Sequence, residues 1–235
     1  NGANEIVEPI EVSYENEIGN LPTLTKEGYT FIGWFDESNV EIFDNTIFNY
    51  TKDIILSAKW EIIKLEVNYY DMFGSLLKSE VINYGENANF PPNPYIDGYT
   101  FTGWSPNTEI IKSNIDFIAE YTMEEYTITY DLNTGSDDDK KYIDYNVESE
   151  SIALPVPERK GYTFIGWTGS NGDKPQKEIT IETGSTNDKE FTANWTANFY
   201  NVTLNPNGGI VNPEVIRMAY NSTYGTLPKP AKEGY

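Results

Sequence analysis

The heptapeptide Gly-Tyr-Thr-Phe-Ile-Gly-Trp stands at residues 28–34 and again at 161–167, and Gly-Tyr-Thr-Phe-Thr-Gly-Trp stands at 98–104. A fourth copy opens at Gly234-Tyr235. Other landmarks hold the same phase. A proline arm precedes each copy: Leu21-Pro22, Phe90-Pro91-Pro92, Leu154-Pro155-Val156-Pro157 and Leu227-Pro228-Lys229-Pro230. A short aromatic segment closes each full unit: LSAKW (56–60), FIAEY (117–121) and FTANW (191–195). An alternating apolar stretch then opens the next unit, as at Leu65, Val67 and Tyr69, at Ile128, Tyr130 and Leu132, and at Tyr200, Val202 and Leu204. Four landmarks in constant order restrict the chain to tandem copies of one small module, roughly 65–70 residues long.

Within a unit the order reads strand, turn, strand, short connection, proline arm, GYTFxGW strand, variable hairpin, closing strand. Asn133-Thr134-Gly135 and Asn207-Gly208-Gly209 supply turn chemistry in the opening hairpins. No segment carries the ten or so residues of 3.6-period pattern that a helix requires. A turn or two of helix has room only at 145–151 or 221–224. The expected class is therefore β-rich α+β with little helix. Residues 1–29 and 207–235 align without a gap, with Asn1-Gly2 on Asn207-Gly208 and Tyr14 on Tyr220. This predicts a first unit without its opening strand and a last one holding only its first hairpin and arm. The opening strand at 196–206, whose own unit is incomplete, could then be disordered or pair with the strand-deficient first unit of a neighbouring molecule.

In the heptapeptide, the first glycine precedes a strand at a place where positive φ is free of cost only for glycine. Strict alternation would put large aromatics on both faces of a small sheet. A bulge at the second glycine avoids that, because one extra residue moves the tryptophan to the other face. Bulges are therefore expected at Gly33, Gly103 and Gly166, with the Tyr, Phe and Trp of each copy converging on one core. Tryptophan and tyrosine faces also suit sugar rings, so a ligand platform is the competing reading. Constant phase with prolines and turns favours the core, since a small domain leans on a few large side chains.

Charge narrows the partners. Sixteen Lys+Arg against 37 Asp+Glu give a net charge of −21, which repels phosphate backbones and anionic lipid. Nucleic acid and direct membrane insertion are thus excluded as expected partners, and no apolar run approaches the ~20 residues of a membrane span. The chain has no histidine and no cysteine, so the commonest general base, thiolates and disulfides are missing. Aromatics make up 14% of residues, far too many for a disordered acidic tail. No catalytic, cofactor-binding or metal-binding residue is assigned. Asp137-Asp138-Asp139 lacks calcium-loop spacing and reads as a solvated hairpin tip. Glu124-Glu125 reads as solvent-facing charge between units. Lysine–asparagine cross-links have no pair that the sequence places.

The third unit, YTITYDLNTG (126–135) followed by ALPVPERKGYTFIGWTGSNGDKPQKEITIETGSTNDKEFTANW (153–195), resembles the Listeria–Bacteroides repeat, the class that includes the B-repeats of internalin B. The similarity spans the chain as repeats at 1–61, 62–123, 124–197 and 198–235, the second shorter and closer to mucin-binding-like relatives. It implies a β-grasp-like (ubiquitin-like) module, repeated in an elongated array on bacterial surface or secreted proteins. It also implies a non-enzymatic stalk or interaction role, no cofactor, an extracellular setting, and host protein or glycan as the partner class, with an accessory domain of a secreted enzyme as the alternative.

Overall fold

The computed structural model describes residues 7–134, 136 and 138–234. Asn1-Gly2, Gly135, Asp137 and Tyr235 lie outside the described residues. The chain divides into two compact units: residues up to Tyr95 with Phe101–Thr122, and Ile96–Thr100 with Met123 onward.

In the first unit, β1 (Tyr29–Phe35), β2 (Glu41–Ile42) and β3 (Ser57–Ile62) form a sheet ordered β2-β1-β3. A second sheet contains β4 (Lys64–Tyr70), β5 (Leu76–Asn83), β6 (Tyr99–Ser105) and β7 (Ile115–Met123), ordered β5-β4-β7-β6. In the second unit the elements are β8 (Tyr126–Asp131), β9 (Lys140–Tyr145), β10 (Ile152–Ala153), β11 (Tyr162–Gly169), β12 (Gly172–Gln176), β13 (Thr180–Ile181) and β14 (Lys189–Ala197). Five of these form the sheet β12-β11-β14-β8-β9, and β10 pairs with β13. A hairpin of β15 (Phe199–Thr203) and β16 (Val215–Ala219) comes last.

The second and third repeats share one plan. The opening strand pairs antiparallel with its hairpin partner and parallel with the closing strand: Tyr69 faces Phe117, and Tyr130 faces Phe191. On its other side β14 pairs antiparallel with the heptapeptide strand β11, so it is central and its inward residues Phe191 and Ala193 are buried. The apolar alternation of the opening strands therefore marks the faces that meet the closing strand.

Bulges occur at Gly33 and Gly166, two of the three expected positions. Pairing between β1 and β3 skips from Phe31 to Gly33, and pairing between β11 and β14 skips from Phe164 to Gly166. Ile32 and Ile165 are the extra residues. Each heptapeptide then brings its Phe and Trp together edge to face, with centroids 5.8 Å apart for Phe31–Trp34, 5.6 Å for Phe101–Trp104 and 5.4 Å for Phe164–Trp167. Trp167 is fully buried among Ile128, Leu154, Phe164 and Phe191. In the second repeat Leu65, Val67, Tyr69, Ile111 and Phe117 form the core.

The proline arms explain their own phase. Trp34 Nε1 donates to the Pro22 carbonyl at 2.8 Å, and Trp167 Nε1 to that of Pro155 at 3.2 Å. Both bonds span twelve residues. A buried indole N–H needs an acceptor, and the arm supplies it.

Three expectations are corrected. No described residue is helical, so the fold is all-strand rather than α+β. At 145–151 the chain makes a single turn in which Asn146 Oδ1 accepts from Glu148 N at 3.1 Å and Ser149 N bonds to the Asn146 carbonyl at 3.1 Å. Ile152 then enters a strand with Ile181, which ends any helix before it starts. Of the two outcomes expected for 196–206, disorder is overturned, since β15 pairs with β16 from Phe199–Ala219 to Thr203–Val215. Two of the heptapeptide tyrosines also leave the shared core and face the next repeat: Tyr99 donates its hydroxyl to Glu148, and Tyr162 meets the Tyr220 ring.

One buried polar cluster gives the second repeat a pH signature. The fully buried Tyr69 donates its hydroxyl to Glu80 Oε1 at 2.8 Å, and Lys78 Nζ pairs with Glu80 Oε2 at 2.8 Å. Burial, then the bond to Glu80, pushes the Tyr69 phenol far above its ordinary value. Burial works to raise Glu80, but the bonds from Lys78 and Tyr69 outweigh it and hold the carboxyl low. A phenol whose folded value is raised contributes stability that is complete below its unfolded value of about 10 and is lost as pH rises beyond it. The second repeat is therefore expected to weaken above about pH 10, as the raised Tyr69 phenol is driven to ionise. Tyr69→Phe should cost about 1 kcal/mol at neutral pH and flatten that alkaline loss, read by tyrosinate absorbance and denaturation.

Candidate functional site: the joint between repeats

The first glycine of each heptapeptide holds a positive φ: 79° at Gly28, 78° at Gly98 and 80° at Gly161. Its carbonyl accepts the first amide beyond the closing strand, from Ile63 (3.0 Å), Glu124 (2.9 Å) and Asn198 (2.9 Å) respectively. In two joints the bond is relayed, since the Ile63 carbonyl takes Tyr84 N at 2.8 Å and the Asn198 carbonyl takes Tyr220 N at 2.7 Å. A side chain from the following repeat then lies directly on the glycine. A Cβ there would come 2.4 Å from Tyr84 Cδ1, 2.0 Å from Val147 Cγ1 and 2.3 Å from Tyr220 Cδ1. The residue is glycine for two separate reasons: the left-handed backbone and the seat it offers.

Polar groups around each seat differ. Glu27 accepts from the Tyr84 hydroxyl at 2.6 Å and from Lys112 Nζ at 2.9 Å, and these bonds hold its carboxyl below the usual range. Around Gly98, the Tyr99 hydroxyl donates to Glu148 at 2.8 Å, while Glu124 accepts from Thr100 Oγ1 and the Tyr126 hydroxyl, each at 2.7 Å. The bond to Glu124 is the main cause that pushes the Tyr126 phenol up to about 12. At Gly161, Tyr162 meets Tyr220 edge to face at 5.7 Å, and the Arg159 guanidinium lies 4.1 Å over the Tyr162 ring.

These contacts place the sequence candidates. Glu124 is a joint acceptor rather than free surface charge. Asp138 is exposed, as expected of a hairpin tip, but Asp139 is buried and accepts from the Thr134 hydroxyl and from Ser136 N, closing the hairpin internally. The competing sugar-platform reading finds no open ring here, because Trp167 is buried and Trp34 and Trp104 are half-buried against their phenylalanines. Sequence reasoning missed Tyr84, Val147 and Tyr220 as joint residues. Their signal was present: each lies near the end of an opening hairpin, in constant phase with the next heptapeptide glycine, at 84 and 98, 147 and 161, and 220 and 234.

The joint's chemistry is hydrogen bonding and ring contact. Among the described residues no three His, Cys, Asp or Glu gather to hold a metal ion, and no helix is long and apolar enough to cross a membrane. A cleft of about 990 Å³ in the first repeat is lined by apolar groups that include Val12, Ile18, Trp34, Phe48 and Leu56. Its lining also includes the polar groups Glu11, Tyr14, Tyr50, Lys52 and Asp53.

Comparison with known proteins agrees with the repeat pattern. The Listeria-Bacteroides repeat domain matches at residues 1–59, 66–125, 126–194 and 200–235. A Gly-rich membrane protein, so described, of Evansella cellulosilytica is 29% identical over 95% of this chain and 27% of its own length. Internalin H of Listeria monocytogenes is 36% identical over 38% of this chain and 16% of its length. The chain thus spans under a third of the relatives it matches. Among solved structures, the type 2 repeat of the mucus binding protein MUB from Lactobacillus reuteri aligns over 57% of this chain and 99% of its own, at 12% identity and a TM-score of 0.20. With four matches that run through nearly its whole length, the chain belongs to the Listeria-Bacteroides repeat domain family.

Proposed function

We propose that this chain is a non-catalytic tandem-repeat stalk of a bacterial cell-surface or secreted adhesin-type protein, built from β-grasp-like modules. The observation that carries this reading is the recurring glycine seat, which ties each repeat to the next through backbone bonds and one packed side chain. A spacer needs that coupling, because repeat arrays gain stability and stiffness from nearest-neighbour interfaces. The relatives described as membrane proteins and the internalin support a surface setting. The acidic charge keeps such copies apart in solution.

Gly28→Ala and Gly161→Ala test the coupling. Each should accelerate amide exchange at Ile63 or Asn198 by at least about tenfold while leaving the cores around Phe117 and Trp167 protected. Unchanged exchange at those two amides would mean that the glycine seat does not couple the repeats. Small-angle scattering that showed the repeats folded onto one another as a compact globule would rule out the stalk itself.

Exposed aromatics support a second reading, binding of host protein or glycan through 198–200. Phe199 and Tyr200 are 55% and 52% exposed. Titration of the whole chain with mucin glycans, followed at the Phe199 and Tyr200 resonances, separates a binding module from a passive spacer.

A further inference from the structure

Three hairpin strands occupy the same place in successive repeats, and one of them differs. By register, Leu76, Ser79 and Val81 of β5 hold the outward positions that Lys140, Tyr142 and Asp144 hold on β9, with Leu77 the extra residue where the β5 register shifts. On β16 the middle of the strand carries Arg217. Edge strands are ordinarily guarded against pairing by such outward charges. β5 is an edge strand, as the sheet order β5-β4-β7-β6 shows, and its outward face carries no charge. Its two charged residues, Lys78 and Glu80, turn to the other face and neutralise each other at 2.8 Å.

The strand is long and accessible as well. It runs eight residues, and Leu76, Leu77 and Val81 are 56%, 42% and 62% exposed. In an antiparallel pair, alternate residues direct their N–H and C=O groups away from the partner. Among the described residues, those of 76–82 show no backbone bond besides the β4 ladder. Phe73 at the hairpin tip and Ile118, which pairs with Tyr70 on the same face, extend the apolar surface. Glu66, paired with Val81, and Asp116, paired with Asn68, put carboxylates on that face.

We propose that the free edge of β5 is a docking strand for an extended, basic segment of another protein, which adds to the sheet by backbone hydrogen bonds. The unpaired edge selects an extended backbone, and the outward Leu76 and Val81 select aliphatic residues opposite them. The net charge of −21 and the local carboxylates favour a cationic partner and repel a second copy of this chain.

The whole chain, labelled for amide detection, is titrated with a peptide of alternating valine and lysine about eight residues long, matched to β5. Exchange should slow at alternate amides of 76–82 and stay unchanged in β9. Val81→Lys restores an edge charge at an exposed site and should weaken binding at least about tenfold, whereas Tyr142→Lys should leave it unchanged. Exchange at the Phe117 and Val67 amides reports that the variant remains folded. Equal binding by Val81→Lys, protection centred on β9, equal binding of a valine–glutamate peptide, or absence of binding would each overturn the proposal. Protection of β5 that rises with protein concentration and needs no peptide would make a second copy the occupant, which also overturns it.

Discussion

Gly166→Ala is expected to destabilise the third repeat by about 3 kcal/mol or more, while Gly103→Ala, the same motif position one repeat earlier, should cost about 1 kcal/mol of backbone strain alone. The difference lies in the path of the chain after each tryptophan. Beyond Trp167 the chain folds back as β12, and Trp167 pairs with Gln176. A Cβ on Gly166 would lie 2.5 Å from Gln176 N and 2.7 Å from its carbonyl carbon, both main-chain atoms that cannot move without breaking the pairing. Gly166 also sits at φ 139°, a conformation that side chains adopt at a cost of roughly 1–3 kcal/mol. Overpacking contributes a similar amount. Gly103 has no atom within 4 Å of where its Cβ would be, so backbone strain at its φ of 157° is the whole of its cost. Gly33 is intermediate, because the atom 2.6 Å away is the mobile carboxylate end of Glu41. Chemical denaturation of the full chain, resolved by repeat through amide exchange, checks the ranking. Equal costs at Gly166 and Gly103 would show that the bulge, and not the return of β12, sets the requirement.

The strands, the bulges and the repeat were legible because each leaves a mark at fixed spacing along one chain segment. Alternation at Leu65, Val67 and Tyr69 marked β4, and the misfit of Trp34 and Trp167 with alternation marked the bulges. Asn133 and Asn207 marked tight turns and do adopt positive φ, 52° and 49°. The joint was less legible because it depends on proximity between repeats. Gly28 announces a left-handed residue, but nothing local says that Tyr84 will lie over it. For the same reason the heptapeptide tyrosine looked like a core residue: its strand position is inward, yet it stands at the end of the sheet that the next repeat covers. Asp139 and Glu124 were misread by composition, since a carboxylate in an acidic run counts as solvated until a hydroxyl is found pointing at it. The constant twelve residues from an arm proline to Trp were visible throughout, at 22 and 34, 92 and 104, and 155 and 167. Only the indole bonds of Trp34 and Trp167 give that spacing a cause.

Trp167→Ala should unfold the third repeat. The side chain is fully buried, meets Tyr130 at 5.6 Å and Phe164 at 5.4 Å, and bonds to the Pro155 carbonyl. Truncating such a residue costs about 3–5 kcal/mol. A module of this size, stabilised by roughly 0.05–0.15 kcal/mol per residue, has little more than that in total. No disulfide is available to hold the arm once the tryptophan is gone, because the chain contains no cysteine. The arm should be released with it, since Leu154 is buried in the same core and bonds to Ile179 at 2.9 Å. Trp167→Phe separates packing from hydrogen bonding: it keeps a ring against Phe164 but leaves the Pro155 carbonyl without its donor, at about 1–2 kcal/mol. Amide exchange at Phe191 and Ala193, which lie on the central strand, reads the loss directly. The second repeat should hold its protection at Phe117 in both variants, because its core is built from its own residues around Tyr69. A Trp167→Ala chain that keeps Phe191 and Ala193 protected would mean that the aromatic phrase is not what closes the module, and the case for core over ligand platform would fail with it.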